Sequence, residues 1–471
     1  MHIIISLIAF LEGFTTLSIE IIALRKFTPV IGSNSISTSI ILGVILLALS
    51  YGYYIGGQKS IHPEGVKKRI IRNLILASLY YVCFTFIFDI AILKSLLSIT
   101  NSYFFSILLS SIILFFIPIF LASQTIPLLA EIYKGTHIGE TIGKLLFFST
   151  IGSFFGSVLT SSFLFSILGV YKAALLNSFI LATLASVCAY MFIRNTKTFW
   201  IILAINLFIG LNLITPQIKN SYTIYSGANA YHNIDIYDRG DQRIFSQNGA
   251  YSSGLNIATG KSFFWYITEA VSQTLLDKPN SILVIGAAGF TYPDEVSSLT
   301  SIKTIEVVDV DATLKEVSEK YFLEKKLSNK IKFYPVPARA HLNNAKQQSK
   351  TYDIIFVDAY SGNALPPQML TKEFFDSIQD LSTYQYLNVI TDGSLESNFS
   401  QKLFSTLHHS WGDVYYKQLD PNKTEITNFI ITNKYSSDYI KYEKTMDSEI
   451  YTDDKNSIEV DLFEQRSNIW R

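Results

Sequence analysis

Cysteine and charge are both scarce in this sequence. Its two cysteines, Cys83 and Cys188, lie in apolar stretches. Two thiols placed in this way cannot build a disulfide framework or a structural zinc site, both of which need clustered cysteines. Charged residues make up 16% of the 471 residues, and the formal net charge is zero. Because nucleic-acid-binding proteins carry a basic excess, no nucleic-acid partner is expected.

Charge is especially rare in the first part of the chain. A helix that spans a bilayer needs about 20 mostly apolar residues. Seven segments fit this description: 2–24, 36–55, 73–93, 103–129, 145–168, 173–193 and 198–214. We therefore predict a polytopic transmembrane domain over residues 1–218, with the lipid bilayer as its partner. A water-soluble α/β domain should follow over residues 219–471.

The first apolar segment carries two carboxylates, Glu12 and Glu20, and lacks the basic start of a cleavable signal peptide. Acidic side chains are costly in lipid, so both should face the interior of the helical bundle or a water-filled space. They could form a polar transport or binding site. They could equally serve as a structural ion pair or as protonated acids that pack helices together. The sequence leaves these alternatives open.

The stretch 281–311 is typical of a nucleotide-binding unit. A short apolar strand is followed by the small-residue turn Gly286-Ala-Ala-Gly289, a helix over 291–299 and a second strand over 304–308 that ends at Asp309. Small residues let the backbone approach a ligand, and an acid about twenty residues beyond the turn can bind ribose hydroxyls. The alternative is an α/β turn without a ligand, in which Asp309 and Asp311 are solvated turn residues.

Strands alternate with helices through the rest of the second domain, which predicts a mostly parallel sheet with ligands at its carboxyl edge. Asp309 and Asp358 both follow strands, so both should lie at that edge, although Asp358 could simply cap a turn. A small β-hairpin, 233–238 with 243–247, should precede this sheet. Thr371 should cap a helix, and the tail from Ser436 onward should be peripheral.

The order of several motifs resembles the spermidine/spermine synthase family, the aminopropyltransferases. These motifs are GAAGF, VDVD, YDIIFVDAYSG and LTKEFF, within residues 231–387. The segment FLEGFTTLSIEIIALRKFTPVIGS, followed by GYYIGG, resembles the membrane part that is fused to spermidine synthase-like domains in some bacterial proteins. The implied architecture is an N-terminal α-helical transmembrane bundle. A C-terminal Rossmann-like α/β domain of the S-adenosylmethionine methyltransferase type, with a small β-hairpin element, would follow it.

The resemblance also implies site residues and ligands. Decarboxylated S-adenosylmethionine would be the co-substrate, no metal would be needed, and a small-molecule amine would be the acceptor. Soluble members commonly form dimers, so a homodimer is one expectation. Asp358 would be the catalytic carboxylate, and Tyr360, Ser361 and Glu269 would line the amine groove. The remaining positions would bind the nucleotide part of the co-substrate: Gly286, Ala287, Ala288, Gly289, Asp309, Asp311 and Ala338.

Several positions depart from the pattern of the soluble enzymes. A second acid, three residues after the first, is replaced by Ser361, and an adenine-contacting acid by Pro337. A substrate-side glutamine corresponds to His232. The first change weakens the implied recognition of a cationic diamine, and the second weakens that of adenine. The isolated histidines, His341 and the pair His408-His409, are expected at the surface.

The resemblance predicts a membrane-bound transferase that moves an aminopropyl group from decarboxylated S-adenosylmethionine to an amine in polyamine biosynthesis. One alternative is an S-adenosylmethionine-dependent methyltransferase. Another is a non-catalytic nucleotide sensor or transporter, which the change at Ser361 and the carboxylates of Glu12 and Glu20 suggest.

The sequence does not decide on which side of the membrane residues 219–471 lie. The basic residues between the second and third apolar segments should face the cytoplasm. With seven helices this places residues 219–471 on the opposite side, whereas a cytosolic nucleotide favours the cytoplasmic side. We expect a multi-pass protein of the bacterial plasma membrane with a cytoplasmic soluble domain.

Overall fold

A computed structural model describes residues 2–31, 35–58, 63–87, 89–100, 102–133, 138–192, 196–214, 222–229, 231–360, 365–420, 425–443 and 448–469. The chain divides into two compact units. One comprises Met1–Ile218 with Gly227–Ala230, and the other comprises Lys219–Ser226 with Tyr231–Arg471.

The first unit is helical in its described residues up to Ile214. Its helices are α1 (His2–Ile31), α2 (Ser35–Gly56), α3 (Pro63–Ile87), α4 (Asp89–Thr100), α5 (Tyr103–Ser111), α6 (Ile117–Ser123), α7 (Thr125–Ile132), α8 (Ile138–Leu159), α9 (Phe165–Phe192) and α10 (Thr196–Ile214). Four continuous stretches among the described residues are long and apolar enough to cross a membrane: Ile3–Thr28, Ser35–Gly56, Tyr103–Ile132 and Gly139–Phe192. The last spans 54 residues and is broken at Gly169, whose φ of 74° is not helical.

Helices α1 and α8 pack with their backbones in close approach. A Cβ atom on Gly152 would lie 1.9 Å from the carbonyl oxygen of Phe10, and one on Gly13 would lie 2.0 Å from that of Ser149. Small residues permit this separation, as they do at many helix contacts. The side chain of Glu12 is buried at this contact and accepts a hydrogen bond from the Ser149 hydroxyl at 3.1 Å. The expectation that this acid faces the bundle interior agrees with its position.

The second unit begins with a four-stranded sheet in the order β1 (Thr223–Ala228), β2 (Asn233–Arg239), β3 (Gln242–Gln247) and β4 (Ala250–Asn256). The predicted hairpin corresponds to the antiparallel pair β2 and β3. The prediction of a small hairpin was too limited, because β4 pairs with the far side of β3. β4 carries serines and a glycine in place of apolar residues, so its sequence gives no strand periodicity.

The main sheet has eight strands in the order β12-β10-β11-β9-β8-β5-β6-β7. The strands β7, β6, β5, β8 and β9 are parallel, and β11, β10 and β12 continue the sheet through antiparallel pairs. Their bounds are β5 (Ser281–Ile285), β6 (Thr304–Asp309), β7 (Ile331–Pro335), β8 (Tyr352–Val357), β9 (Ser382–Asp392), β10 (Tyr415–Gln418), β11 (Ile426–Thr432) and β12 (Ile440–Lys441). The chain reverses its lateral direction at β5, and ligands of open α/β sheets bind at such a switch point.

Helices cover both faces of this sheet, and β5 is buried between two apolar cores. Leu283 and Ile285 belong to one core, whereas Ile282 and Val284 belong to the other. This division follows from the alternation of side chains along a strand. The helices are α11 (Trp265–Asp277), α12 (Thr291–Ser297), α13 (Leu314–Val317), α14 (Ala338–Gln347), α15 (Lys372–Gln379), α16 (Asn398–Trp411) and α17 (Ile458–Ile469).

Two expectations about peripheral residues were wrong. The tail contributes to the core: Tyr451 is buried, and its hydroxyl donates a hydrogen bond to Asp461 at 2.9 Å. His341 is also buried, and its Nε2 lies 3.2 Å from the Tyr352 hydroxyl. The residues next to both in the sequence are mostly polar. Their burial depends on contacts with distant segments, which a local sequence pattern does not indicate.

Thr371 precedes α15 as predicted, but its hydroxyl does not cap the helix. The oxygen accepts a hydrogen bond from Arg339 at 2.7 Å and donates one to Asp453 at 2.7 Å. The hydroxyl therefore connects the start of α15 to the C-terminal tail instead of bonding the helix backbone.

Candidate functional site

A cavity of about 640 Å³ opens at the carboxyl edge of the parallel strands, at the switch point described above. Its wall includes the ends of β5, β6 and β8, the later part of β9, the start of β11, the edge of the four-stranded sheet and the aromatic run Phe263–Tyr266. All four residues of the aromatic run belong to the cavity wall. A cavity of this size suits a nucleoside-sized ligand with a second small molecule.

Asp358 lies in the cavity wall, directly after β8. Its carboxylate accepts a hydrogen bond from Nδ2 of Asn388 at 2.8 Å and another from the Tyr266 hydroxyl. Burial raises the pKa of Asp358 to about 7, and these two hydrogen bonds oppose that rise. The result is a carboxyl group that can exchange a proton near neutral pH. Burial and the neighbouring carboxylate hold the pKa of Tyr266 well above its usual range, so its phenol remains a donor.

Asn388 is held in one orientation by two neighbours. Nδ2 of Asn428, on β11, donates to Oδ1 of Asn388 at 3.0 Å, which leaves the amide nitrogen of Asn388 to face Asp358. The Tyr360 hydroxyl donates to the Asn388 carbonyl at 3.0 Å and accepts from the Ile390 backbone N–H at 2.9 Å. Tyr360 is thereby anchored to β9 within the cavity wall.

The backbone around Gly286 requires a glycine whether or not a ligand is bound. Its φ is +103°, and a Cβ atom would lie 2.2 Å from the carbonyl oxygen of Asp358. The backbone N–H of Asp358 also donates to the Ile285 carbonyl at 2.8 Å. The turn after β5 and the end of β8 therefore touch through their backbones, and this contact positions Asp358.

Asp309 lines the cavity at the end of β6. Oδ2 accepts a hydrogen bond from the backbone N–H of Ala287 at 3.0 Å, and Oδ1 accepts one from that of Asp311 at 3.0 Å. Burial raises the pKa of Asp309, and the two backbone donors oppose this rise. A carboxylate offers about four acceptor sites, so two remain for ligand hydroxyl groups.

The structure brings some of the predicted site residues to the cavity and leaves others away from it. Those in the cavity wall are Gly286, Ala287, Ala288, Asp309, Ala338, Asp358 and Tyr360. Ser361 lies outside the described residues. Three further residues, Gly289, Asp311 and Glu269, are not among the described residues of the wall.

Each of these three has another partner within the protein, and its expected contact with a ligand stays a prediction. The backbone N–H of Gly289 donates to the Ser253 hydroxyl at 3.0 Å. Asp311 lies 3.3 Å from Nδ1 of His232. The carboxylate of Glu269 accepts from Lys417 at 2.8 Å, because α11 turns this side chain toward β10. Of these partners, His232 lines the cavity, so Asp311 contacts a residue of the wall.

Sequence reasoning missed Asn388, Asn428 and Asp420 as cavity residues. The two asparagines interrupt apolar strands, as the sequences YLNVI and TNFII show. Since buried polar side chains need partners, an asparagine inside an apolar strand was the available signal. Asp420 lies in a polar stretch that carries no such signal.

Comparison with known proteins relates part of this unit to a family. The model described as spermine/spermidine synthase domain matches residues 267–423. A polyamine aminopropyltransferase of Vibrio vulnificus is 25% identical over 179 residues, which cover 36% of this chain and 59% of that protein. A probable polyamine aminopropyl transferase of Bifidobacterium longum is 26% identical over 198 residues, which cover 40% of this chain and 42% of that protein. The chain thus spans only about half the length of these curated relatives.

Two solved structures show a weaker overall likeness. A probable spermidine synthase from Corynebacterium glutamicum aligns with a TM-score of 0.42 and 16% identity, over 52% of this chain and 99% of that one. The spermidine synthase of Thermotoga maritima aligns with a TM-score of 0.37 and 16% identity, over 51% of this chain and 84% of that one. The likeness to this family rests on the sequence match over residues 267–423, which overlaps the motifs that predict the resemblance.

Proposed function

We propose that this protein transfers an aminopropyl group from decarboxylated S-adenosylmethionine to an amine. The observation that carries the proposal is the carboxyl group of Asp358, which lines the cavity between the donors Asn388 and Tyr266. Its pKa of about 7 suits a group that must accept a proton at neutral pH. The names of the curated relatives support the same reaction class.

The nucleotide part of the donor binds along the ends of β5 and β6 in this proposal. Asp309 accepts hydrogen bonds from the ribose hydroxyls through its two remaining acceptor sites. The turn Gly286–Ala288 offers a surface without large side chains, and Ala338 at the start of α14 lies in the same wall. The aromatic rings of Phe263 and Phe264 can stack on the base.

The transfer is a displacement at carbon. The lone pair of an unprotonated acceptor nitrogen forms a bond to the aminopropyl methylene carbon beside the sulfonium. The carbon–sulfur bond breaks, and its electron pair stays on sulfur, which gives neutral methylthioadenosine. The new carbon–nitrogen bond makes the nitrogen cationic, and its proton passes to the carboxylate of Asp358. A carboxylate near the reacting centre also attracts the cationic acceptor.

We assign residues 1–218 to a multi-pass membrane domain and residues 219–471 to the transferase domain. Four helical stretches of sufficient length and apolarity support the first assignment. Exposed apolar side chains along α8 and α10, such as Phe154, Leu207 and Phe208, support it as well, because lipid would cover them. The plasma membrane with a cytoplasmic transferase domain is the proposed location, and a homodimer is the proposed assembly.

Product analysis on the purified full chain in detergent tests the function. Decarboxylated S-adenosylmethionine and a diamine should yield methylthioadenosine and an aminopropylated amine. Asp358→Asn should lower the rate by a factor of about 100 or more, the range seen when a general base is lost. Asp380→Asn is the matched control, because this exposed acid pairs with Lys346 on the surface. Equal product from the wild type and Asp358→Asn would reject the role of Asp358.

The same assay separates the alternatives. When S-adenosylmethionine replaces the decarboxylated donor, a methylated product would indicate a methyltransferase. Binding of either nucleotide without product would favour a sensing role, and amine flux into vesicles would then identify transport.

A further inference from the structure

The first turns of α3 carry a group of basic side chains that the reaction proposed above does not use. They are Lys67, Lys68, Arg69 and Arg72. Within the part of the chain that the structure describes, none of the four forms an ion pair with a carboxylate, although Glu64 lies one turn before Lys68. A group of cations without counter-charges favours an anionic ligand.

The guanidinium group of Arg69 is held in place by neutral groups of the same helical unit. Its Nε and Nη2 donate to Oε1 of Gln124 at 3.2 and 2.7 Å, and Nη2 also donates to the Ile55 carbonyl at 3.2 Å. Nδ2 of Asn73 donates to the same oxygen of Gln124 at 3.0 Å, and the side chains of Asn73 and Gln124 are buried. An arginine has five N–H donors. The two on Nη1 have no acceptor among the described residues, so they can bind a ligand.

These contacts fix the position of Arg69 without neutralising its charge. Arg72 adds a second positive charge close enough to repel the first. A cation that is partly withdrawn from water needs an opposite charge nearby, because its desolvation is otherwise costly. Phosphate oxygens match the planar donors of an arginine and form strong charge-assisted hydrogen bonds with them. A phosphate group is therefore the ligand that best suits this site.

The exposed face of α3 changes from charge to hydrocarbon along the helix. Lys68, Arg72, Leu76 and Leu79 follow one another at intervals of four, four and three residues, which places them on one side of the helix. All four side chains are exposed. At about 1.5 Å per residue, the two leucines lie roughly 6 and 10 Å beyond Arg72 along the axis. Cations followed by exposed apolar side chains match a phospholipid, in which a phosphate group is followed by acyl chains.

We propose that the start of α3 binds the phosphate group of an anionic phospholipid through Lys68, Arg69 and Arg72. The acyl chains of this lipid pack along Leu76 and Leu79. A zwitterionic lipid binds less tightly, because the cationic end of its headgroup is repelled by the same three side chains. The proposal goes beyond the transferase reaction, and it depends on the membrane assignment made above for residues 1–218.

Lipid titration of the delipidated full chain in detergent, followed by native mass spectrometry, tests this assignment. The ligands are dioleoyl phosphatidylglycerol and dioleoyl phosphatidylcholine, which have the same acyl chains and differ in net charge. The wild type should bind phosphatidylglycerol about tenfold or more tightly. Lys68→Gln and Arg72→Gln, made singly, should each weaken phosphatidylglycerol binding about fivefold, as expected for one cation near a lipid phosphate, and leave phosphatidylcholine binding unchanged. The assignment is overturned if phosphatidylglycerol binding is unchanged, or if both lipids are weakened equally.

Inorganic phosphate separates a lipid headgroup from a free anion. In competition with phosphatidylglycerol, it should not displace the lipid at equal concentration, because it cannot contact Leu76 and Leu79. Displacement at equal concentration would identify a soluble phosphate as the ligand and overturn the lipid assignment.

Lys144→Gln is the matched control. It removes the same charge from an exposed side chain on α8 that pairs with Glu140. This variant should bind both lipids as the wild type does, and an equal loss of phosphatidylglycerol affinity would show a general attraction to the charge of the unit and overturn the site. Incorporation of the wild type into phosphatidylcholine vesicles is measured separately. Failure to incorporate would reject the membrane assignment and is thus distinguishable from failure of the lipid site.

Discussion

Nδ2 of Asn388 donates a hydrogen bond to Oδ1 of Asp358 at 2.8 Å. The donor belongs to β9 and the acceptor follows β8, so the contact crosses two neighbouring parallel strands. Asn428, on β11, fixes the amide of Asn388 through a further hydrogen bond at 3.0 Å. The protonation of the key carboxyl group is therefore controlled by strands that a local reading of the sequence does not connect.

Replacing Asn388 by leucine should change the pH dependence of the reaction. The hydrogen bond from Asn388 stabilises the charged form of Asp358 and lowers its pKa. Without it the pKa should rise above about 7, and the acidic limb of the kcat/KM profile should move up by roughly one pH unit, since a hydrogen bond to a charged group contributes about 1.5–3 kcal/mol. Kinetics measured across pH would detect the change. An unaltered limb would show that Asp358 does not govern the profile.

Asp358→Asn should stabilise the protein at neutral pH. The pKa of this carboxyl group is about 7 in the folded state and near its ordinary value of 3.8 when unfolded. Between these values the folded state holds the proton, so the stabilising contribution of this group is complete below the lower pKa and is lost as the pH rises through the upper one. Asparagine is neutral at every pH, so the variant does not lose this contribution as the pH rises. Its gain in Tm over the wild type should therefore be larger at pH 8 than at pH 5. A gain independent of pH would contradict the assigned burial.

Gly286→Ala should destabilise the second unit more than Gly240→Ala. Both glycines have positive φ, +103° and +66° respectively. An added Cβ meets the Asp358 carbonyl at 2.2 Å in the first case and nothing within 4 Å in the second. We expect a loss of about 1 kcal/mol for Gly240→Ala from backbone strain alone and about 3 kcal/mol or more for Gly286→Ala. Denaturant unfolding measures both, and equal losses would count against the close backbone contact.

Substitutions at Tyr451 test the packing of the C-terminal tail. The ring is buried in the core that contains Leu403 and Phe404, and its hydroxyl donates to Asp461. Tyr451→Phe should cost about 1 kcal/mol through the lost hydrogen bond. Tyr451→Ala should cost about 3–5 kcal/mol because it also leaves a cavity. Replacing the exposed Tyr435 by alanine serves as the control. A loss for Tyr451→Ala as small as the loss for Tyr435→Ala would contradict the packing of the tail into the core.

Local sequence patterns predicted the parallel strands better than they predicted the contacts of the candidate site. β5, β6 and β8 are short apolar runs, so their positions and the acids that follow them could be predicted from side-chain alternation and turn residues. β4 could not, because serine and glycine carry no strand signal. Glu269 illustrates a different limit. The resemblance placed it in the amine groove, but the direction of its side chain depends on Lys417 of β10, a distant segment.

The amino-acid sequence by itself determined the apolar first half, the Gly286–Gly289 turn, Asp309 at the end of β6 and Asp358 directly after β8. These features depend on composition and on residues close together in the chain. Only the tertiary structure decided that Asn388 reaches Asp358, that Asn428 fixes Asn388, that Glu269 pairs with Lys417 and that Asp420 lies in the cavity wall. Those contacts depend on the order and direction of strands that pair across long separations in sequence. Hydrogen bonding between strands sets that order, and side-chain periodicity does not record it.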